Sequence, residues 1–316
     1  MYQELIYLLI GLFGLWLGAE LVLRGAMNIA KKLKISHMFI GLTILAIGTD
    51  LPELFIDITA AIQRLQGIET SGLIIGETIG TCMGQIALAL GILSLMGIDT
   101  VKKRELLRDG LVMLMSVGVL FLAGLDGEIS IIDGGIFVLI YLFYFITITR
   151  DEQVFRKIKK NHAGNKIIWA IVSLISGFVF LIYASKAVVT NAVILASLWG
   201  ISQAAVGVII VGLGTSLPEI SVALTALFKK TPELSIGNLL GSNIFDILFT
   251  VGISSVISGF LVSKNLLYFD IPILFATSLI VLYFLKTKMR LSKKEAIILI
   301  GIYFAYIIFR LVFALN

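Results

Sequence analysis

The chain has 316 residues, of which 59% are hydrophobic and only 14% charged, with a mean hydropathy of +1.04. A soluble domain carries about 25% charged and about 45–50% apolar residues, so this balance excludes a water-soluble enzyme, and twenty Phe residues exclude a disordered chain. The formal charge of +5 invites a nucleic-acid reading that the positions of the cations must decide, while a single cysteine, Cys82, excludes an intramolecular disulfide and a cysteine-based zinc site.

A helix that crosses a bilayer needs about 20 apolar residues. In chain order such runs fall at 4–24, 36–63, 72–97, 108–125, 129–148, 167–189, 202–228, 233–258, 268–285 and 294–313, predicting ten transmembrane helices in an all-α membrane protein. The first run opens Met1-Tyr2-Gln3-Glu4 without the basic stretch of a secretory signal, so it is read as a true span. Alternate loops then divide the cations: 21 of the 25 Lys and Arg lie on one side, and only Arg64, Lys186, Lys264 and Arg310 on the other. The positive-inside rule places the first side in the cytoplasm, both termini outside the cell, and the linker 149–166 inside, in a multi-pass plasma-membrane protein. The basic balance therefore reflects seating in the lipid bilayer, and no nucleic-acid partner is expected.

The chain repeats itself. Residues 18–53 align without gaps on 184–219: Ile35-Ser36 meets Ile201-Ser202, Gly41 meets Gly207, and Gly-Thr-Asp-Leu-Pro-Glu at 48–53 meets Gly-Thr-Ser-Leu-Pro-Glu at 214–219. Further on, Gly76, Gly80 and Gly91 meet Gly237, Gly241 and Gly252, with the first half carrying a five-residue longer loop. The expected organisation is a five-helix repeat at 1–148, the linker 149–166 and a second five-helix repeat at 167–316. Five is odd, so the second copy enters the membrane from the opposite side. Such inverted repeats place their site near the bilayer midplane, where the halves meet.

Glu53 and Glu219 lie mid-span, each directly after a proline, and these are two of only four prolines. A carboxylate at that depth costs at least about 2.5–3.5 kcal/mol. Proline removes a backbone donor and frees the carbonyl four residues earlier, by numbering Gly48 and Gly214, with Ala46 and Gly212 nearby. Each break thus gathers carbonyls, a threonine hydroxyl and a carboxylate, the oxygen kit of a hard cation such as Ca²⁺. The missing nitrogen and sulfur ligands argue against zinc or copper. A second polar stretch follows each motif: Glu77, Thr81 and Gln85 in the first half, and Asn238, Ser242 and Asp246 in the second. Helix packing explains the glycines between them but not the acids.

The pair Gly-Thr-x-Leu-Pro-Glu and Gly-Asn-x-x-Gly-Ser-Asn-x-x-Asp resembles the α-repeats of the cation/Ca²⁺ exchanger superfamily, specifically the sodium/calcium exchangers, over the whole chain. The resemblance implies an antiporter, not an enzyme, that moves Ca²⁺ against Na⁺ by alternating access and needs no cofactor. Carried over by position, Thr49, Glu53, Thr215 and Glu219 would hold Ca²⁺. Ser216, Thr81, Ser242 and Asp246, with carbonyls near Ala46 and Gly212, would serve Na⁺. The linker is too short for the large regulatory region of the animal exchangers. The first half departs from the pattern: Asp50 replaces Ser, Glu77 replaces Asn, Thr81 replaces Ser, and Gln85 replaces Asn or Asp. Asp57, one turn beyond Glu53, is a further acid. These extra charges leave a Ca²⁺/H⁺ or K⁺-dependent exchanger open, and a non-transporting ion-binding membrane protein is the alternative from another class. A monomer is expected. Glu20 and its repeat mate Lys186 read as seam residues, Cys82 as a small packed residue beside the ion path, and His37 and His162 as cytoplasmic residues without a partner pattern.

Overall fold

The computed structural model describes residues 2–32, 46–96, 103–151, 167–228 and 232–314. The helix α1 spans Tyr2–Lys32, and after it come α2 at Ala46–Thr49 and α3 at Leu51–Leu65. Next are α4 at Ser71–Leu95, α5 at Lys103–Ala123, α6 at Ile131–Asp151 and α7 at Ile167–Trp199. The second half continues with α8 at 203–215, α9 at Leu217–Phe228, α10 at 232–258, α11 at 266–288 and α12 at Lys293–Ala314. Nine helices among the described residues are long and apolar enough to cross a membrane. The remaining expected span, 36–63, appears as α2 and α3, its earlier part lying outside the described residues, as do His37, His162 and residues 152–166 of the linker. The fold is two five-helix repeats of opposite direction.

That inversion is visible in the packing of repeat mates. In the α1–α7 pair Gly11 lies against Val188, Gly18 against Gly177 and Leu181, and Gly25 against Ala170, so the two helices run antiparallel. Both are longer than their apolar runs predicted, at 31 and 33 residues. At 1.5 Å per residue α1 is about 46 Å long, beyond the hydrocarbon core of roughly 30 Å. Its basic end therefore extends past the apolar window that a sequence reading detects, and α7 ends at Gly200, which takes φ +66°. Glu20 pairs with Arg24 one turn on, at 2.5 Å, and Lys186 is exposed.

The innermost helices are α4 and α10, buried over most of their length, whereas α1, α6, α7 and α12 expose broad apolar faces of the kind that meets lipid. The exposed faces carry residues such as Phe143, Trp169 and Tyr183.

One feature was not expected from the sequence. A two-residue antiparallel pairing joins β1 (Glu128–Ile129) to β2 (Phe260–Leu261). It sits among loops that the cation count had placed on one common side. Arg64 pairs with Glu69 and donates to Gly259 O at 2.9 Å, Gln203 donates to Glu69 O at 2.7 Å, and Leu261 N donates to Ser71 Oγ at 3.1 Å. At these loop ends the two halves supply hydrogen-bond partners for each other's backbone groups.

Candidate ion-binding site

Both motifs break their helices at the same place. The helix α2 stops at Thr49, Asp50 takes φ −82° and ψ +4°, and α3 restarts at Leu51 with Pro52 in its first turn. In the second half α8 stops at Thr215, Ser216 takes φ −69° and ψ −9°, and α9 restarts at Leu217. Proline tolerates only the first turn of a helix, where its missing N–H is not needed. Each Leu-Pro-Glu therefore opens a helix and holds its glutamate at the break.

The inner helices carry a second irregularity. In α4 residues Gly84–Ala89 form a π-helical segment, and in α10 residues Asp246–Thr250 form another. Gln85 and Asp246 are repeat mates, so the two segments stand at nearly equivalent positions. Single π segments inside α-helices widen the turn, re-aim side chains and recur at functional sites.

Helix α4 crosses α8 backbone to backbone. A Cβ on Gly80 would stand 2.5 Å from Val208 O, and one on Gly212 would stand 2.6 Å from Thr81 N. Only glycine permits this approach, which brings Thr81 of one half onto the break of the other. Thr81 Oγ1 lies 3.0 Å from Thr215 Oγ1 and 3.2 Å from Gly212 O. Ser216 donates to the same Gly212 carbonyl at 2.5 Å, and Thr215 approaches it at 3.3 Å. Glu77 Oε1 accepts from Thr215 at 2.9 Å and from Thr81 at 3.2 Å. The symmetry-related exchange uses the other break: Ser242 donates to Asp50 Oδ1 at 2.6 Å. Each break is thus closed by a hydroxyl from the opposite half. The carbonyl that these hydroxyls share is that of Gly212; its mate Ala46 opens α2.

Glu53, Glu77, Gln85, Ser216, Glu219 and Ser242 are wholly buried, and Thr49, Asp50, Thr215 and Asp246 are nearly so. Glu53 interacts electrostatically with Glu219, Asp246, Glu77 and Asp50. Glu219 faces Asp50 and Thr49. Both oxygens of Glu53 and both of Asp246 lack a hydrogen-bond donor among the described residues. The one buried basic side chain described is Arg310, and it stands 3.5 Å from Asp270, away from this cluster. No three His, Cys, Asp or Glu side chains among the described residues converge as a compact metal centre does. A cation here must therefore draw on hydroxyl and carbonyl oxygens as well as carboxylates.

The structure thus brings together Thr49, Asp50, Glu53, Glu77, Thr81, Thr215, Ser216, Glu219, Ser242, Asp246 and the carbonyl of Gly212. Gln85 is buried beside them but spends its Oε1 on Asn243 Nδ2, at 2.6 Å. Asn238, the mate of Glu77, is only partly buried, and its amide nitrogen has no hydrogen-bond partner among the described residues. Cys82 is fully buried, with Asp246, Glu77, Asp50 and Glu53 as its electrostatic neighbours. The sequence reading missed Asn243, although it stands inside the Gly-Ser-Asn run, and it left Asp57 outside the site.

The family model for the sodium/calcium exchanger protein matches residues 4–150 and 169–312. The chain belongs to the sodium/calcium exchanger family. Exchange of Na⁺ and Ca²⁺ across a membrane by antiport is this family's activity. The exchanger is 28% identical to the sodium/calcium exchanger MaX1 of Methanosarcina acetivorans, over 95% of this chain and 96% of that one. It is 31% identical to a membrane protein of Methanocaldococcus jannaschii over 79% of this chain and 80% of that one. Among solved structures it resembles the sodium-calcium exchanger NCX_Mj soaked with 2.5 mM Na⁺ and 0.1 mM Ca²⁺. That match has a TM-score of 0.65 and 28% identity, and covers 97% of this chain and 98% of that chain.

Proposed function

We propose that this exchanger carries Ca²⁺ against Na⁺ by alternating access around one ion site shared by its two halves. The observation that carries the reading is the set of five buried carboxylates, Asp50, Glu53, Glu77, Glu219 and Asp246, gathered around two helix breaks with no buried Lys or Arg beside them among the described residues. Isolated buried charges of one sign are strongly unfavourable. Cations that enter and leave supply the compensating charge, and Ca²⁺ and Na⁺ compete because they draw on the same oxygens. In this reading Thr49, Glu53, Thr215 and Glu219 hold Ca²⁺, and Ser216, Thr81, Ser242, Asp246 and the carbonyls near Ala46 and Gly212 hold Na⁺. Gln85 and Asn238 stand at the edge of the set.

The pair α1–α7 is the natural moving part. Leu23 of α1 rests on Gly48 and Leu12 on Gly214, each glycine two residues before a break. A sliding α1 would therefore alter both breaks at once, exposing the site to one side and then the other. In proteoliposomes, an outward Na⁺ gradient is expected to drive ⁴⁵Ca²⁺ uptake, with K⁺ and H⁺ gradients imposed separately as comparisons. Absence of uptake under every gradient would leave only an ion-binding protein. Uptake driven by H⁺ and not by Na⁺ would select the Ca²⁺/H⁺ alternative, and Na⁺-driven uptake that also requires K⁺ on the Ca²⁺ side would select the K⁺-dependent Na⁺/Ca²⁺ alternative, for which the extra acids Asp50 and Glu77 speak.

We further propose that the two halves are 1–148 and 167–316, that the chain acts as a monomer, and that both termini face outward with 149–166 inside. The support for the orientation is the uneven division of Lys and Arg. In a Cys82→Ser background, a cysteine at Gln3 should be labelled from outside intact cells and one at Lys160 should not. Outside labelling at position 160 would overturn the orientation.

A further inference from the structure

The two halves are not equally acidic beyond the central cluster. Asp57 lies one turn past Glu53 on α3, toward Arg64, and its repeat mate is Ala223. Thr78 lies one residue past Glu77 on α4, and its mate is Leu239. Where the first half has an acid and a hydroxyl, the second has two apolar side chains, and both Ala223 and Leu239 are buried. The fold therefore packs without polar groups at this place.

In the first half those groups are sealed in. Asp57 and Thr78 are 0% and 1% exposed. Their side chains meet between α3 and α4, with Thr78 Oγ1 3.5 Å from Asp57 Oδ2. The Thr78 hydroxyl also approaches its own helix at Ile74 O, at 3.1 Å. One hydroxyl proton cannot serve both at full strength, and the shorter contact leaves Thr78 lone pairs toward Asp57. Asp57 Oδ1 and Glu77 Oε2 are buried with no donor among the described residues. Glu77 and Asp246 are the acids electrostatically coupled to Asp57. Thr250 Oγ1, on the π-helical segment that packs against α3, is a further fully buried hydroxyl without a hydrogen-bond partner among the described residues, and its mate is Ala89. The surplus is of oxygen lone pairs, and a cation is the partner that oxygen lone pairs accept.

We propose that Asp57, Thr78 and the free oxygen of Glu77 form an additional binding site for a monovalent cation, Na⁺ or K⁺, in the first half only. The proposal rests on the reading of the central cluster as the exchanger's ion site and extends it by one turn toward the Arg64 end. Glu77 already serves the central cluster through its other oxygen, so Asp57 is the one acid this site adds, and a single added negative charge beside the Thr78 hydroxyl suits a single positive charge. Asp57 would then give this chain one more monovalent cation per cycle than the symmetrical motif pair supplies by itself.

The test is equilibrium binding of ²²Na⁺, and of ⁸⁶Rb⁺ as the K⁺ probe, to the purified full-length protein. Asp57→Ala and the double variant Asp57→Ala/Thr78→Leu copy the residues the second half already packs; Asp57→Asn keeps the shape without the charge. Each is expected to bind one monovalent cation fewer than the unaltered chain, or to fill that site at a concentration higher by about tenfold or more. The label that shows the loss identifies the ion. Equal stoichiometry and affinity for both labels in all four proteins would overturn the proposal. So would variants that change the pH dependence of transport while losing neither label, which would make the occupant a proton. Binding of ⁴⁵Ca²⁺ to the same preparations reports separately on the central site, so that its failure and the failure of this additional site are distinguishable.

Discussion

Replacing Glu53 or Glu219 by glutamine is expected to abolish Ca²⁺ transport while leaving a folded, inserted protein. Each glutamate opens a helix at a break and is fully buried. Glutamine fills the same volume and keeps one carbonyl oxygen, so packing survives. What is lost is an anionic ligand to a divalent ion. That loss should weaken Ca²⁺ binding by more than one tenfold step, each step being about 1.4 kcal/mol. The protein fold has a reason to tolerate the change: removing an unpaired buried charge relieves a desolvation cost. The measurement is ⁴⁵Ca²⁺ flux in proteoliposomes, beside size-exclusion profiles that show the variants intact. Normal flux in either variant would remove these two residues from the Ca²⁺ site.

Asp50→Ser should change which ion drives transport. Asp50 and Ser216 are repeat mates at the two breaks: Ser242 of the other half donates to Asp50, whereas Ser216 donates within its own half to Gly212 O, the carbonyl that Thr81 of the other half also approaches. A serine at position 50 restores the symmetrical pair and can keep a hydroxyl contact with Ser242. It also removes one negative charge from the cluster, and with it the need for an additional positive occupant. Transport by this variant is expected to become more dependent on Na⁺ and less sensitive to K⁺ and pH. Asp50→Asn should flatten the K⁺ and pH profiles in the same way. Flux profiles unchanged from those of the unaltered chain in both variants would make Asp50 a bystander.

The parts of this protein that are local in sequence were legible in advance. Apolar runs marked the spans, the repeated Gly-Thr-x-Leu-Pro-Glu marked both breaks, and proline after the break explains why the glutamates end up at helix starts. What lay beyond reading depends on register between the halves. The π-helical segments at Gly84–Ala89 and Asp246–Thr250 have no composition of their own, and they decide where Gln85 and Asp246 point. The bond from Asn243 to Gln85 joins residues 158 positions apart, and no spacing rule reaches it. From the sequence Asp57 is only a further acid one turn beyond Glu53, and it is the packing of α3 on α4 that shows it sealed against Thr78. The β1–β2 pairing was invisible because two-residue strands carry no periodicity.

The shared site itself is tested most directly by equilibrium competition between the two ions. Purified protein is loaded with ⁴⁵Ca²⁺, and Na⁺ is added at constant ionic strength with choline as the balancing cation. If Ca²⁺ and Na⁺ draw on the same oxygens of Glu53, Glu219 and their neighbours, Na⁺ displaces all bound ⁴⁵Ca²⁺ with a steep, cooperative dependence, while choline displaces none. Retention of ⁴⁵Ca²⁺ at saturating Na⁺ would show that the two ions occupy the protein together, and would contradict exchange through one site.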